Sequence, residues 1–225
     1  MPDSDKSEDY KNLDLVVFGL PRSANTYLSS NLSFAFEGVR LKTNIHNFNR
    51  VLWIQEGTNV IVLVRRPEDL VKSLLHMNSS RYKKLDSRLR IKLPIEDYLV
   101  SESFKLINYL DWLKSPKFRA IDYLVINFSS VIEDLNLVNE EIYKKFPSLG
   151  KPEKVNSDFI KELVRNIDKD IEATIYESHL PTEKLDENGL VERLMESYEI
   201  KKIIDLIYEI YNDANIKIEK FKDRI

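Results

Sequence analysis

The chain has 225 residues, of which 43% are hydrophobic and 32% charged, so it is long enough to bury one sizeable core and too apolar for a disordered protein. Its 34 basic and 37 acidic residues give a formal net charge of -3 at pH 7, which excludes a global basic field for nucleic acid or an anionic membrane. It contains no cysteine, which excludes disulfides, thiolate nucleophiles and cysteine-ligated metals. Any anion site must therefore be local.

The first residues of the chain are acidic and polar, where a secretory signal would be basic and then apolar. We expect residues 1–12 to form a flexible tail and residues 13–225 to form a single domain. The longest apolar runs have the length of a strand, far below the roughly 20 residues that span a bilayer. These features predict a cytoplasmic protein with no membrane or nucleic-acid partner.

The first part of the chain alternates short apolar runs with helical patterns. Residues 13–19 (LDLVVFG) predict a strand, and a helix-compatible segment begins near Asn25. A brief apolar stretch lies near residues 39–41. Residues 59–64 (NVIVLV) are apolar at nearly every position, which is typical of a strand buried on both faces. Pro67 and the two acidic residues after it then predict a helix that continues to about residue 77.

The second part of the chain is mostly helical. Residues 81–93 are basic and weakly periodic, which suits either a flexible loop or a charged helix. The pattern then predicts an amphipathic helix over residues 94–113 and a fourth strand over residues 123–128. A helical pattern follows from about residue 132 to residue 146, and the clearest of the remaining helices runs over about residues 190–212.

Strands that alternate with helices predict an α/β fold, here a three-layer sandwich with a central, mostly parallel sheet and a helical carboxyl-terminal part. In such a sheet, ligands bind outside the carboxyl ends of the strands. Residues 20–25 and 65–67 both directly follow predicted strands. We therefore expect both segments to lie at the ligand-binding edge of the sheet.

The segment after the first strand, residues 19–28 (GLPRSANTYL), has the layout of a phosphate cradle, in which backbone N–H groups at a helix N-terminus bind an anion. A cation and two hydroxyls would assist, from Arg22, Ser23 and Thr26. A Walker A motif, GxxxxGK[ST], would need glycine at Ala24 and lysine at Asn25. The missing lysine argues against an ordinary nucleotide kinase or ATPase. The alternative is a helix start capped by Asn and Ser, with a surface arginine.

PRSANTYL resembles the phosphosulfate-binding loop of sulfotransferases, usually written P-[KR]-S-G-[TS]-T-[WYL]-L. The resemblance implies a fold similar to that of P-loop NTPases and the cofactor 3′-phosphoadenosine 5′-phosphosulfate (PAPS). The residues implied to bind it here are Pro21, Arg22, Ser23, Ala24, Asn25, Thr26 and Tyr27. The departure is Ala24, where the family has glycine. If that glycine needs a positive φ, alanine strains the loop, whereas a glycine needed only for close approach tolerates the extra methyl group.

A second segment, residues 62–75 (VLVRRPEDLVKSLL), resembles the sulfotransferase sequence that binds the 3′-phosphate of PAPS, R-[ND]-P-x-D-x-x-x-S. The resemblance assigns that role to Arg65 and Ser73, and a bidentate guanidinium suits a phosphate dianion. Residues 123–146 resemble a later strand and helix of the family, which supports the fold more than the function. The carboxyl-terminal Arg-Lys-Gly loop of cytosolic sulfotransferases has no counterpart here.

Sulfuryl transfer is an in-line displacement, so positioned cations and hydrogen-bond donors matter more than covalent chemistry. The resemblance implies that Arg22 is catalytic, stabilising the leaving phosphate, and it implies no metal. The family's general base commonly follows the second strand in a Lys-Thr-His setting. Here Lys42 and Thr43 are present, Asn44 occupies the direct match, and His46 comes two residues later. His46 is the candidate catalytic base, with a surface-loop histidine as the alternative.

The sequence thus predicts a PAPS-dependent sulfotransferase that releases 3′,5′-ADP and modifies a hydroxyl or amine on a small-molecule or glycan acceptor. One alternative is a P-loop nucleotide or small-molecule kinase, which Asn25 disfavours. The other is a non-catalytic nucleotide-binding protein, which the register shift of His46 leaves open. We interpret the basic run over residues 81–92 as solvated surface rather than a site for an anionic acceptor.

Overall fold

The structure, a computed structural model, describes residues 12–19, 24–45, 54–89, 94–170 and 189–218. Four strands lie within these ranges: β1 Leu15–Gly19, β2 Leu41–Ile45, β3 Asn59–Val64 and β4 Tyr123–Asn127. The α-helices within them are α1 Asn25–Ala35, α2 Pro67–Leu89, α3 Ile95–Leu110, α4 Pro116–Arg119, α5 Phe128–Glu133, α6 Leu135–Lys145, α7 Ser157–Asp170, α8 Leu190–Met195 and α9 Tyr198–Asp213. In the same ranges, the 3₁₀ helices Asp111–Lys114 and Pro147–Leu149 follow α3 and α6.

The strands form one parallel sheet in the order β2-β1-β3-β4. The chain leaves β1 to form β2 on one side and then returns to form β3 on the other side, so the strand order reverses between β1 and β3. In open α/β sheets such a switch point opens a crevice at the carboxyl ends of the strands. Gly19 pairs in register with Leu63, so the two strands end side by side. The predicted α/β class and parallel sheet are confirmed.

Both faces of the sheet are buried. Alternate residues of β1 and β3 enter two separate hydrophobic clusters: Val16, Phe18, Val60, Val62 and Val64 on one face, and Leu15, Val17, Ile61 and Leu63 on the other. The first cluster is completed mainly by α2, α3, α8 and α9, and the second by α1, α6 and α7. This burial explains why the two strands read as continuous apolar runs, and it gives the predicted three layers.

Helix α9 packs across the first face of the sheet through one apolar stripe. Five isoleucines follow the i, i+3, i+4 spacing of a helix face and are buried: Ile200, Ile203, Ile204, Ile207 and Ile210. Burying each such side chain stabilises the fold by roughly 1.5–3 kcal/mol relative to exposure. The stripe fixes the end of α9, which carries Tyr208 and Tyr211, beside α2.

Several helix boundaries differ from the sequence predictions. The helix predicted from Pro67 to about residue 77 continues to Leu89, so most of the basic run is helical. The single helix predicted over residues 132–146 is two, because Asp134 is extended and its carboxylate accepts hydrogen bonds from the N–H groups of Asn136 and Leu137. An acidic or hydroxyl side chain is favoured at such a cap.

The helix predicted over residues 190–212 is likewise two, since the Ser197 hydroxyl accepts a hydrogen bond from the Ile200 N–H at the start of α9. The helix predicted over residues 94–113 ends as α3 at Leu110 and continues as a 3₁₀ helix. Strand β2 begins at Leu41, at the end of the apolar stretch noted in the sequence. No helix in the described ranges combines the length and the apolar character needed to cross a membrane.

A buried pair of amides joins α1 to α6. Asn31 Nδ2 donates to Asn139 Oδ1 at 2.6 Å, and Asn139 Nδ2 donates back to Asn31 Oδ1 at 3.3 Å. Both side chains are almost completely excluded from solvent. Because buried amides need hydrogen-bond partners, this reciprocal pair fixes how α1 lies against its neighbour.

Candidate functional site

The start of α1 has an unusual backbone conformation. Ala24, the residue just before the helix, has φ 61° and ψ 27°, in the left-handed region. Alanine in this region costs roughly 1–2 kcal/mol, because its Cβ crowds the following carbonyl oxygen. A glycine at position 24 could be needed for a positive φ or for close approach. The structure shows a positive φ there, so alanine is strained.

Gly19 and Asn25 hold the two ends of the β1–α1 connection together. The Asn25 side chain is buried and folds back over the end of β1, where its Nδ2 donates to the Gly19 carbonyl at 3.3 Å. A Cβ atom on Gly19 would overlap the Asn25 Oδ1. Glycine is therefore required at position 19 for space. The Asn25 side chain contacts the backbone of β1 from the place that the Walker A lysine would occupy.

The first turn of α1 offers backbone donors for an anion. The Leu28 N–H donates to the Ala24 carbonyl at 2.9 Å, which is the first hydrogen bond of the helix. The N–H groups before it point away from the helix, and the methyl side chain of Ala24 at the N-cap makes no capping hydrogen bond. A helix N-terminus, where N–H groups and the positive end of the helix dipole face outward, favours a bound anion.

Thr26 and Tyr27 differ in their surroundings. Thr26 is half-buried, whereas Tyr27 is only 2% exposed and lies in the hydrophobic cluster beneath α7. Burial raises the pKa of the Tyr27 phenol, and the nearby charges are those of Lys161 and Asp158. The Tyr27 ring is thus part of the core.

Arg65 lies at the carboxyl end of β3, next to the switch point. Val64, the last residue of β3, pairs with Asn127, the last residue of β4, so the residues that follow them are neighbours. The guanidinium of Arg65 lies over the ring of Phe128, 4.1 Å from its centroid, and the arginine is half-buried. This contact holds a cation at the edge of the sheet where β3 ends. The adjacent strand β1 ends at the same edge and is followed by α1.

Ser73 lies two turns into α2 and is buried, as is His76 on the same helix. Arg66, the neighbour of Arg65, makes a bidentate ion pair with Asp69, with Nε and Nη2 at 2.9 and 3.2 Å from the two carboxylate oxygens. The convergence of Arg65 and Ser73 on one phosphate stays a prediction.

Four predicted site residues lie outside the described residues: Pro21, Arg22, Ser23 and His46. Their roles stay predictions. The Lys-Thr sequence that precedes His46 lies in β2, where Thr43 Oγ1 and Ser29 Oγ share a hydrogen bond of 2.6 Å. The Thr43 side chain therefore joins β2 to α1.

A cavity of about 610 Å³ lies beside the start of α2, and we call it the α2–α9 cavity. Its lining residues are Arg66, Glu68, Tyr208, Tyr211, Asn212, Ile216 and Ile218. The Tyr208 hydroxyl donates to the Glu68 carboxylate, at 2.9 Å from Oε1 and 2.8 Å from Oε2. The sequence analysis missed this cavity. The sequence shows two tyrosines three positions apart on a predicted helix, but this spacing does not reveal that Tyr208 contacts Glu68.

A scan against protein-family models matches none of them, and a search of curated proteins finds no significant match.

Proposed function

We propose that the protein is a PAPS-dependent sulfotransferase, which transfers a sulfuryl group to a hydroxyl or amine on a small-molecule or glycan acceptor. The observation that carries the proposal is the pairing of two anion-binding features across the switch point. One is the N-terminus of α1 behind Ala24, and the other is Arg65 held against Phe128. The two features follow adjacent parallel strands.

The position of these features at one edge of the sheet suits one nucleotide with two anionic ends. Adjacent strands lie roughly 5 Å apart, and both β1 and β3 end at the same edge of the sheet. The start of α1 would bind the 5′-phosphosulfate through its backbone N–H groups. Arg65 would bind the 3′-phosphate through its guanidinium.

The remaining roles follow from this arrangement. PAPS would supply the sulfuryl group. Arg22, together with the N–H groups of α1, would oppose the negative charge that builds on the departing phosphate oxygen. Arg65 and Ser73 would hold the other end of the nucleotide, and His46 would accept the proton of the acceptor hydroxyl at an imidazole nitrogen.

The kinase alternative is weaker, because the position of the Walker A lysine holds Asn25, whose side chain donates to the Gly19 carbonyl. No cation at this position of the loop would bridge the β- and γ-phosphates of ATP. A sulfotransferase needs only a loop that binds phosphosulfate. The geometry therefore favours PAPS over ATP.

The proposal is tested by calorimetry with 3′,5′-ADP, 5′-AMP and magnesium-ATP. We expect 3′,5′-ADP to bind at least about tenfold more tightly than 5′-AMP, because a charge-assisted hydrogen bond contributes about 1.5–3 kcal/mol. Arg65→Ala should abolish this preference. Arg40→Ala is the matched control, since Arg40 pairs with Asp14 at the amino end of β1.

Equal binding of 3′,5′-ADP and 5′-AMP would contradict the 3′-phosphate assignment. Tighter binding of magnesium-ATP than of 3′,5′-ADP would favour a kinase. Turnover is then measured with labelled PAPS over a panel of hydroxyl and amine acceptors. His46→Ala should abolish turnover and leave the affinity for 3′,5′-ADP unchanged.

A further inference from the structure

The α2–α9 cavity has the size and the mixture of surfaces that small-molecule sites have. Its volume of about 610 Å³ falls within the range of roughly 300–1,000 Å³ typical of ligand pockets. Ile216 and Ile218 form an apolar part of the wall, and Glu68, Tyr208 and Asn212 form a polar part. The cavity also lies at the carboxyl end of β3, where α/β sheets bind ligands.

The charges around the cavity favour a positively charged ligand. Both acceptor oxygens of Asp69 are occupied by the guanidinium of Arg66, so that acidic and that basic group neutralise each other. Glu68 is a second carboxylate beside them. Its carboxylate accepts the hydrogen bond from the Tyr208 hydroxyl and also attracts the Arg66 guanidinium. Two carboxylates therefore share one guanidinium, and this group of side chains gives the cavity wall a net negative charge.

The two tyrosines add to this preference. Tyr208 and Tyr211 lie three positions apart on α9 and both line the cavity. The Tyr211 hydroxyl is buried and makes no hydrogen bond of standard geometry with the described residues, although the backbone N–H of Arg65 approaches it. Phenol rings beside a carboxylate are the surroundings in which proteins bind organic ammonium ions.

We propose that the α2–α9 cavity binds a small amphiphilic amine, with the ammonium group at the Glu68 carboxylate and the apolar body against Ile216 and Ile218. The ammonium donates to Glu68, and the tyrosine rings contact the carbon atoms next to the nitrogen. A ligand with a carboxylate in place of the ammonium group would not bind, because the negative charge of Glu68 would repel it. That such an amine is the sulfuryl acceptor rests on the proposed function, whereas its binding to the cavity does not.

The test uses three probes with one skeleton and different charges: 2-phenylethylamine, 2-phenylethanol and phenylacetate. Binding to the full chain is measured by calorimetry without nucleotide. We expect the amine to bind about tenfold more tightly than the alcohol, because its hydrogen bond to Glu68 is charge-assisted, and we expect phenylacetate not to bind. Glu68→Gln keeps an oxygen for the Tyr208 hydroxyl and should lower the affinity for the amine to that for the alcohol.

Glu209→Gln is the matched control, since Glu209 is an exposed neighbour of Tyr208 on α9. It should leave the affinities for all three probes unchanged. Absence of binding by the amine, preference for phenylacetate, or an amine preference that survives Glu68→Gln would overturn the inference.

A parallel titration with 3′,5′-ADP separates this inference from the proposed function. If 3′,5′-ADP binds and the amine does not, the amine site alone is wrong. If the amine binds through Glu68 and 3′,5′-ADP does not bind, the sulfotransferase proposal is wrong and the amine site stands.

Discussion

Arg65 and Phe128 form a cation–π contact across the carboxyl ends of β3 and β4, with the guanidinium 4.1 Å from the ring centroid. Each residue directly follows its strand, and the last residues of the two strands, Val64 and Asn127, are in register. The contact is thus a consequence of strand pairing. The contact holds a planar guanidinium, which can bind an anion through two N–H groups, at this edge of the sheet.

We expect Phe128→Leu to weaken the binding of 3′,5′-ADP several-fold. Leucine keeps an apolar side chain but removes the ring that holds the guanidinium, an interaction that contributes about 0.5–2 kcal/mol. Calorimetry measures the change. Phe159→Leu is the control, because Phe159 is a half-exposed aromatic that packs edge-on against Phe34. An unchanged affinity in Phe128→Leu would remove this contact from the anion site.

Ala24→Gly should stabilise the protein. The substitution relieves the strain of an alanine at φ 61°, and the gain is reduced by the greater freedom of glycine in the unfolded chain. We expect a net gain of roughly 0.5–1 kcal/mol in the free energy of unfolding, measured by urea denaturation. Ala35→Gly, at the end of the same helix, should instead destabilise by about 1 kcal/mol. A loss of stability in Ala24→Gly would show that the left-handed conformation is not the native one.

Gly19→Ala should destabilise the β1–α1 connection, because the new methyl group displaces the Asn25 side chain from its buried position. Overpacking of this kind costs about 1–3 kcal/mol. A double-mutant cycle with Asn25→Ala identifies the cause. The glycine substitution should cost much less in the Asn25→Ala background, where the methyl group has space, and equal costs in both backgrounds would refute the steric explanation.

Asn31→Leu should cost about 1–3 kcal/mol, because it leaves the Asn139 amide buried without its partner. The double variant Asn31→Leu/Asn139→Leu replaces both amides with apolar groups and should recover most of the lost stability. Urea denaturation measures both variants. A double variant as unstable as the sum of the two single variants would mean that the amides act independently.

The Tyr208–Glu68 hydrogen bond predicts a loss of stability in alkaline solution. Burial, and then the hydrogen bond to Glu68, raise the pKa of Tyr208 to about 12. The native state therefore holds this proton more tightly than the unfolded chain, whose tyrosines have a pKa near 10. The resulting stabilisation is complete below about pH 10 and is lost as the pH rises to about 12.

Tyr208→Phe should therefore show a shallower decline in stability over this range, measured as urea midpoints at successive pH values. Tyr198→Phe is the control, since Tyr198 is 73% exposed on the same helix. Parallel curves for Tyr208→Phe and the unmodified protein would contradict the proposed proton linkage.

The strands and the edge of the sheet at which they end were predictable from the sequence. β1 and β3 are buried on both faces, and this burial requires the unbroken apolar runs that identified them. The divided helices were not predictable from periodicity. Asp134 and Ser197 interrupt the backbone hydrogen bonding without interrupting the apolar pattern, so only their role as caps reveals the break.

The site was predictable only in part. Sequence resemblance identified position 24 as unusual, but the positive φ of Ala24 is a property of the folded backbone. Its assignment of Tyr27 to the cofactor stays a prediction, and the burial of that ring beneath α7, a helix much later in the chain, could not be read from the sequence. The contact between Tyr208 and Glu68 depends on how α9 packs, which no local pattern encodes.

Because α9 contacts the start of α2, the first turn of α2 can reach its final packing only after α9 has been synthesised. Chains emerge from the ribosome amino end first, and domains generally fold as units. β1, β3 and Arg65 are all made well before Tyr208, which holds Glu68 in the turn after Arg65. A nascent chain that lacks residues 198–213 therefore contains the edge of the sheet, but Tyr208 is not yet present to hold Glu68. The hydrogen bond between Tyr208 and Glu68 can therefore form only late in translation.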